Sequence, residues 1–526
     1  MAAPHGRVWA SLGWTERLYY CAGTFFWMLL GRFAHGQRMR QVSHGSRLCG
    51  RAVSRSTEAA VLLEAQRAAF RAEGFIGPEV RRGRLERAID LLVTHQQTIC
   101  EAHSADFGRR PETLTRFVDI LPALGSLKHA RRNLRRWMRP KRTRMGLPAG
   151  APGVKARIVS QPLGVVGVIS PWNFPITLTF GPLAGIFAAG NRCLIKPSEL
   201  TPTVSALLGR LIGEYFDPLE VSVVTGGPEV AESFSKLPFD HLVFTGSTAV
   251  GRRVMAAAAE HLVPVTLELG GKCPVLVGRS ADLARAVDRI LIGKLNNAGQ
   301  VCIAPDTVFV PRESRPAFVD LARAWMGRAY PNLPANPDYT SMISERHAAR
   351  MHDLMADAAT HGATIVPLDE AGISPASSGR AVGPALVLDP SEQTRASREE
   401  IFGPLLVVRT YDRIEEAAAY VNARPKPLAL YYFGRDRGEM RWVLEHTSSG
   451  GVTINDIAVH FLADELPFGG VGDSGMGAYH GEAGFARFSH ARAVFHQTRF
   501  DVAGLVGLRP PYGARARRAL KLLIRR

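Results

Sequence analysis

Leu163-Gly-Val-Val-Gly-Val-Ile169 opens a series of short aliphatic runs separated by Gly and Pro, continued by Cys193-Leu-Ile195, Val221-Ser-Val-Val224 and His241-Leu-Val-Phe244. Each run is brief, β-branched and free of internal charge, the pattern of a strand buried on both faces. Helical spacing lies between them. From Thr203 to Phe216, Val204, Leu207, Leu208, Leu211, Ile212 and Tyr215 fall on one face, behind Thr201-Pro202 as a start signal. Strands alternating with helices predict a parallel sheet wrapped by helices, an α/β fold. In such sheets ligands sit at the carboxyl ends of the strands.

Downstream, the alternation resumes at Val275 to Val277, Val308 to Val310, Leu405 to Val408 and Leu428 to Phe433, which predicts a second α/β domain. Upstream, Val61-Leu62-Leu63 through Phe70 and Leu85 to Val93 have helix-like spacing. Between Lys128 and Arg144 ten of seventeen residues are basic, His129 included, while Leu127, Ala130, Leu134 and Met138 form one apolar stripe. The charges therefore read as the solvated face of a helix. Gly372 to Gly383 reads as a surface loop.

The 526 residues exceed what one core usually holds, and 46 % hydrophobic with 21 % charged content is that of a globular chain. A formal charge of +18 invites a polyanion. Its distribution answers: the first 55 residues and the last 26 together supply +13. The body is only mildly basic and carries no basic motif interleaved with aromatics, so no specific nucleic-acid partner is expected. The cysteines, Cys21, Cys49, Cys100, Cys193, Cys273 and Cys302, lack the close spacing of a zinc or redox pair. No metal is expected, and reduced thiols point to the cytoplasm.

Leu18 to Leu30 is a 13-residue apolar run, shorter than the roughly 20 residues of a membrane span and followed by a poor cleavage site. Residues 1–55 are read as an N-terminal extension or a start codon placed too far upstream. At the other end, Ala514 to Arg526 reads as a basic amphipathic helix with Ala516, Ala519, Leu520 and Leu523 on one face. It would dock on its own subunit or make peripheral contact with anionic lipid.

Cys302 stands in Asn297-Ala-Gly-Gln-Val-Cys302-Ile-Ala-Pro, where a Gly-Gln pair lets the backbone approach a ligand. A lone cysteine is more often a small buried hydrophobe than a nucleophile. Its company decides the matter: Ser170-Pro-Trp-Asn-Phe-Pro175, Lys196-Pro-Ser-Glu199, Phe244-Thr-Gly-Ser247, Leu267-Glu-Leu-Gly-Gly271, Cys302 and Glu400-Ile-Phe-Gly-Pro404 occur in that order. From about Thr57 to Gln497 the chain resembles the aldehyde dehydrogenase superfamily. Asn297 to Asp306, Leu430-Tyr-Tyr-Phe-Gly434 and Leu466 to His480 resemble its class 3 and coniferyl-aldehyde branch.

The resemblance implies a Rossmann-like NAD(P)-binding domain over 56–270, with an oligomerisation segment near 141–160. It implies a catalytic domain over 271–465, and a C-terminal oligomerisation strand and helix over 466–526. It implies Cys302 as nucleophile, Asn173 with the Cys302 backbone N–H as oxyanion donors, and Glu268 as the base that activates water. Glu268 also separates the chain from relatives that release a coenzyme A thioester. Lys196 and Glu199 match positions that hold the adenosine ribose, and the turn Gly246-Ser247 to Gly251 opens a helix suited to phosphate. Glu400 and Phe402 match contacts to the nicotinamide ribose and ring, while Trp172 and His460 are candidate substrate-lining residues. NAD is expected before NADP, since a carboxylate on the ribose repels a 2′-phosphate. A coniferyl-type aldehyde leads as substrate, with medium or long aliphatic aldehydes as the alternative and a homodimer as the assembly. The rival class is a non-catalytic protein that kept the fold.

Overall fold

The computed structural model describes residues 55–143, 145, 154–333, 336–369, 379–499 and 501–524. The run Leu18 to Leu30, Cys21, Cys49 and most of the loop Gly372 to Gly383 lie outside the described residues. The buried runs become β3 (Val165–Ile169), β4 (Arg192–Lys196), β5 (Val221–Val223) and β6 (His241–Thr245). With β7 (Val265–Glu268) they form a parallel sheet in the order β7-β6-β3-β4-β5, extended at the β7 edge by antiparallel β15 (Gly475–Met476). From β3 the chain winds outward through β4 and β5, then returns to lay β6 and β7 on the other side. The order therefore reverses between β3 and β6, and the crevice at such a reversal is where α/β sheets take ligands.

A second sheet runs β10 (Thr364–Pro367), β11 (Ala385–Leu388), β12 (Leu405–Tyr411), β9 (Thr307–Pro311), β8 (Pro274–Val277), β13 (Ala429–Phe433) and β14 (Gly451–Ile454), parallel except for β10. β10, β11 and β14 were not read from the sequence, because β10 and β14 are partly exposed edges with broken apolar runs. β1 (Lys141–Thr143), β2 (Lys155–Pro162) and β16 (Ser489–His496) form a small antiparallel sheet.

Helix Thr177–Ala189 is buried at every position, because it lies between the first sheet and helices Pro78–Thr94 and Leu121–Trp137. The latter buries Leu127, Ala130, Leu134 and Trp137 and sets Arg135 and Arg136 in its last turn, where the helix dipole favours cations. His129 departs from the solvated face predicted for it. It is buried against Trp137, with Nε2 3.6 Å from Glu465. Among the described residues no helix is long and apolar enough to cross a membrane.

Candidate active site

The motifs of the first half gather at the carboxyl ends of adjacent strands. Ser170 to Pro175 follows β3, Lys196 ends β4, Gly246-Ser247 follows β6, and Glu268 ends β7. Ser247 caps helix Thr248–Ala259, its side chain accepting from the Val250 N–H, and the other N–H groups of the first turn have no partner within the helix. A groove there is lined by Lys196, Glu199, Gly246, Ser247, Trp172 and His347, among others. Lys196 Nζ lies 3.4 Å from Glu199 Oε2 and donates to the Pro197 carbonyl at 2.7 Å. Burial lowers its pKa. The hydroxyls of Ser170 and Thr245 are buried without a hydrogen-bond partner among the described residues. Helix-end N–H groups, spare hydroxyls and a Lys–Glu pair are the donor set that a dinucleotide's phosphates and ribose require.

Gly246 lines the groove, but Gly251 does not. A Cβ at Gly251 would stand 2.6 Å from the Leu269 side chain, so this glycine lets the helix pack on the turn after β7.

The groove continues into a cavity of about 570 Å³ lined by Trp172, Asn173, Gly246, Ser247, Glu268, Cys302, Glu400 and Phe402, together with His347, Arg350 and Met351. Cys302 arrives from the second half of the chain, after helix Leu283–Leu295 and a tight turn in which Asn297 and Ala298 adopt left-handed φ of 48° and 52°. Non-glycine residues rarely hold that conformation, and such strain clusters at functional turns. Cys100, Cys193 and Cys273 are buried, so among the described cysteines only Cys302 is partly accessible. Burial pushes its thiol up to about 12, with Glu400 and Glu268 adding to the shift.

Asn173 spends one amide hydrogen on the Gln300 carbonyl at 3.1 Å, and its other N–H is left for a ligand. Glu268 is 2 % exposed and neither carboxylate oxygen has a hydrogen-bond partner among the described residues. Desolvation therefore raises its pKa well above the usual carboxylate range. Such an unpaired buried carboxyl is costly for folding and suited to taking up a proton.

Glu400 lies against Gly270, where a Cβ would overlap its carboxylate. Its pKa is raised to about 7, by burial first and Asp306 second. Its segment is braced by residues the sequence reading missed. Arg350 donates to the carbonyls of Ile401 at 2.7 Å and Glu400 at 2.8 Å. Lys272 pairs with Asp306 and donates to the carbonyls of Ala396 at 2.7 Å and Glu399 at 2.9 Å. Lys272 and Asp306 adjoin motifs and could have been flagged. Arg350 lies in a plain amphipathic helix and gave no signal.

Trp172 meets Phe402 and His347 edge-on, at 5.4 Å and 5.2 Å between ring centroids. His460 is not among the residues lining the cavity with Cys302, and its Nε2 is buried without a hydrogen-bond partner among the described residues. Its Nδ1 lies 2.7 Å from the Thr453 hydroxyl and its ring stacks on Phe468, while burial lowers its pKa to about 4.

The fold is that of a known family. The aldehyde dehydrogenase family model matches residues 36–494, starting inside the segment read as lying outside the resemblance. The chain belongs to the aldehyde dehydrogenase family. It is an NAD(P)-dependent enzyme acting on an aldehyde. It is 50 % identical over 462 residues to a probable coniferyl aldehyde dehydrogenase of Caulobacter vibrioides, covering 87 % of this chain and 95 % of that one. It is 48 % identical to a coniferyl aldehyde dehydrogenase of Pseudomonas sp., covering 88 % and 95 %. Among solved structures, substrate-bound AldH of Staphylococcus aureus superposes with a TM-score of 0.81 at 35 % identity, covering 88 % of this chain and 99 % of that one. An aldehyde dehydrogenase of Mycobacterium tuberculosis complexed with NAD+ gives 0.76 at 27 %, covering 85 % and 91 %.

Proposed function

We propose that the chain oxidises a coniferyl-type aromatic aldehyde to its acid, using Cys302 as nucleophile, Asn173 as oxyanion donor and Glu268 as base. One observation carries this reading: these three side chains line a single cavity with Glu400, Phe402 and the Gly246-Ser247 turn. Cys302 Sγ, as thiolate, forms a bond to the aldehyde carbon, and the carbonyl π pair moves onto oxygen. The free N–H of Asn173 and the Cys302 backbone N–H hold that oxygen. Bound NAD would supply the acceptor for the hydride released as the carbonyl re-forms. Glu268 then takes a proton from water as the water oxygen attacks the thioester carbon. The C–S bond breaks and Cys302 leaves as thiolate. Lys196, Glu199 and Ser247 would hold the adenosine and phosphate end and Glu400 and Phe402 the nicotinamide end, and Glu199 would favour NAD over NADP.

The aromatic substrate rests on the two relatives named for coniferyl aldehyde and on the aromatic walls Trp172 and Phe402. A spectrophotometric NADH assay over aromatic and aliphatic aldehydes tests it. Highest kcat/KM is expected on cinnamyl aldehydes. Preference for medium or long aliphatic aldehydes would overturn the substrate class, and silence with a folded, NAD-binding protein would favour a non-catalytic role.

The division at Gly271, between the two large sheets, is the proposed boundary of cofactor and catalytic domains. A homodimer through the small sheet is supported by the exposed apolar side chains Ile158 and Phe495 on β2 and β16. Four described cysteines without disulfides suit the cytoplasm. Helix Ala514–Leu523 exposes Leu520, Leu522 and Leu523 beside Arg515, Arg517, Arg518 and Lys521, which supports peripheral contact with anionic lipid. Deleting residues 514–526 is expected to abolish salt-sensitive co-sedimentation with anionic vesicles and to leave the mass in solution at that of two chains. An intact chain that never binds vesicles ends the lipid reading, and a monomer ends the dimer.

A further inference from the structure

Asn173 and Cys302 sit on two separate loops, joined directly by the Asn173 amide on the Gln300 carbonyl, and Arg110 adds a second, charged tie between them. The residue lies just past helix Gln96–Phe107 and its side chain is wholly buried. Its guanidinium is held between the rings of Phe107 and Phe174, at 4.7 Å and 5.2 Å from their centroids. One nitrogen, Nη1, donates to the Asn173 carbonyl at 2.8 Å and to Asn297 Oδ1 at 3.3 Å. The first bond holds the segment that carries the oxyanion donor. The second holds the left-handed turn that leads to Cys302. Asn297 returns the link through Nδ2, 3.4 Å from the Asn173 carbonyl and 3.3 Å from that of Gln300.

The charge is anchored from below. Asp119 Oδ2 lies 3.7 Å from Arg110 Nη2 and 2.8 Å from His103 Nε2, and Asp119 Oδ1 accepts from the Thr177 N–H. Asp119 belongs to a short π-helix, Arg116–Ile120, a distortion that often marks functional sites. The counter-ion is too far for a hydrogen bond, and Arg110 Nε and Nη2 have no hydrogen-bond partner among the described residues. An apolar side chain stacked between Phe107 and Phe174 would fill the space without that desolvation penalty. A buried guanidinium left partly unsatisfied is therefore a poor device for stability alone. Its bonds are spent on two loops of the active site.

We infer that Arg110 is a positioning residue, which sets the Asn173 amide against the Cys302 turn so that the oxyanion forms within reach of its donor. The inference rests on the proposed roles of Asn173 and Cys302. A displacement of the donor by an ångström is expected to act on turnover and to leave cofactor binding alone.

The test is a double-mutant cycle between Arg110→Met and Asn173→Ala, read by NADH formation, with KM for NAD and thermal unfolding measured alongside. Arg110→Met is expected to lower kcat by about 100-fold with KM for NAD unchanged, and to cost little more in the Asn173→Ala background. Wild-type kcat in Arg110→Met, or an equal further loss in the Asn173→Ala background, overturns the inference. If Arg110→Met does not fold, Arg110→Lys replaces it in the cycle. An ammonium lacks the planar stacking and fixed fork of the guanidinium, so reduced kcat is expected there, again absent in the Asn173→Ala background. Wild-type kcat in Arg110→Lys is an overturning result. Failure of the underlying reading is distinguishable, because Cys302→Ser or Asn173→Ala would then keep full activity whatever Arg110 does.

Discussion

Cys302→Ser is expected to bind NAD as the parent does and to lose turnover by on the order of 10⁴-fold or more, as removal of a nucleophile that acts within a unit does. The thiol is already hard to ionise in this cavity. Burial, Glu400 and Glu268 hold it up at about 12. A hydroxyl is a far weaker acid than a thiol, so the same surroundings leave a serine with almost no alkoxide to attack with. No neighbour can take over. Cys273 is fully buried, with its own pKa raised well above the usual thiol range, and its Sγ faces the Cys302 carbonyl at 3.4 Å. Cofactor titration by fluorescence and NADH formation check the two halves of the expectation. Comparable activity in the serine variant would remove the central assignment.

Glu268→Gln is expected to lower steady-state turnover by about 10²- to 10⁴-fold, the usual worth of a general base. It should leave the first turnover visible as a burst of NADH close to one equivalent of enzyme. The reason is the order of events: hydride leaves before water is needed, so loss of the base stalls the enzyme as the Cys302 thioester. The pH profile carries the sign. Burial raises the Glu268 pKa, so the carboxyl is neutral at lower pH and becomes a working base only as pH climbs through that raised value. In the parent, hydrolysis-limited kcat should rise with pH through this range, and that limb should vanish in the glutamine variant. Rapid-quench and stopped-flow traces check it. A variant with no burst and an unchanged profile would move the base role elsewhere.

Both expectations concern residues that stand in motifs, and both depend on surroundings that do not. The strand runs were legible because a buried parallel strand must be apolar at every position, and β3, β4 and β6 fall within a residue or two of the quoted stretches. Helix Pro202–Tyr215 was legible from its apolar stripe behind a proline start. β7 was seen only as the Leu267-Glu-Leu-Gly-Gly271 motif, since a glutamate at its end breaks the aliphatic pattern. His460 and Gly251 were read by their place near motifs. Their contacts, His460 with Thr453 and Phe468 and Gly251 with Leu269, are set by packing that no motif spells out.

By itself the sequence determined the α/β alternation, the order of the motifs and the chemical types at Asn173, Glu268 and Cys302, because periodicity and residue chemistry are local properties. Tertiary structure alone decided that Cys302 is the accessible cysteine among those described, that Glu268 has no hydrogen-bond partner among the described residues, that Arg350 clamps the Glu400 segment and that Arg110 spans two loops. Burial and hydrogen-bond pairing depend on which distant segments meet, and Arg110 reaches an acceptor 187 positions away. No local pattern of residues carries that information.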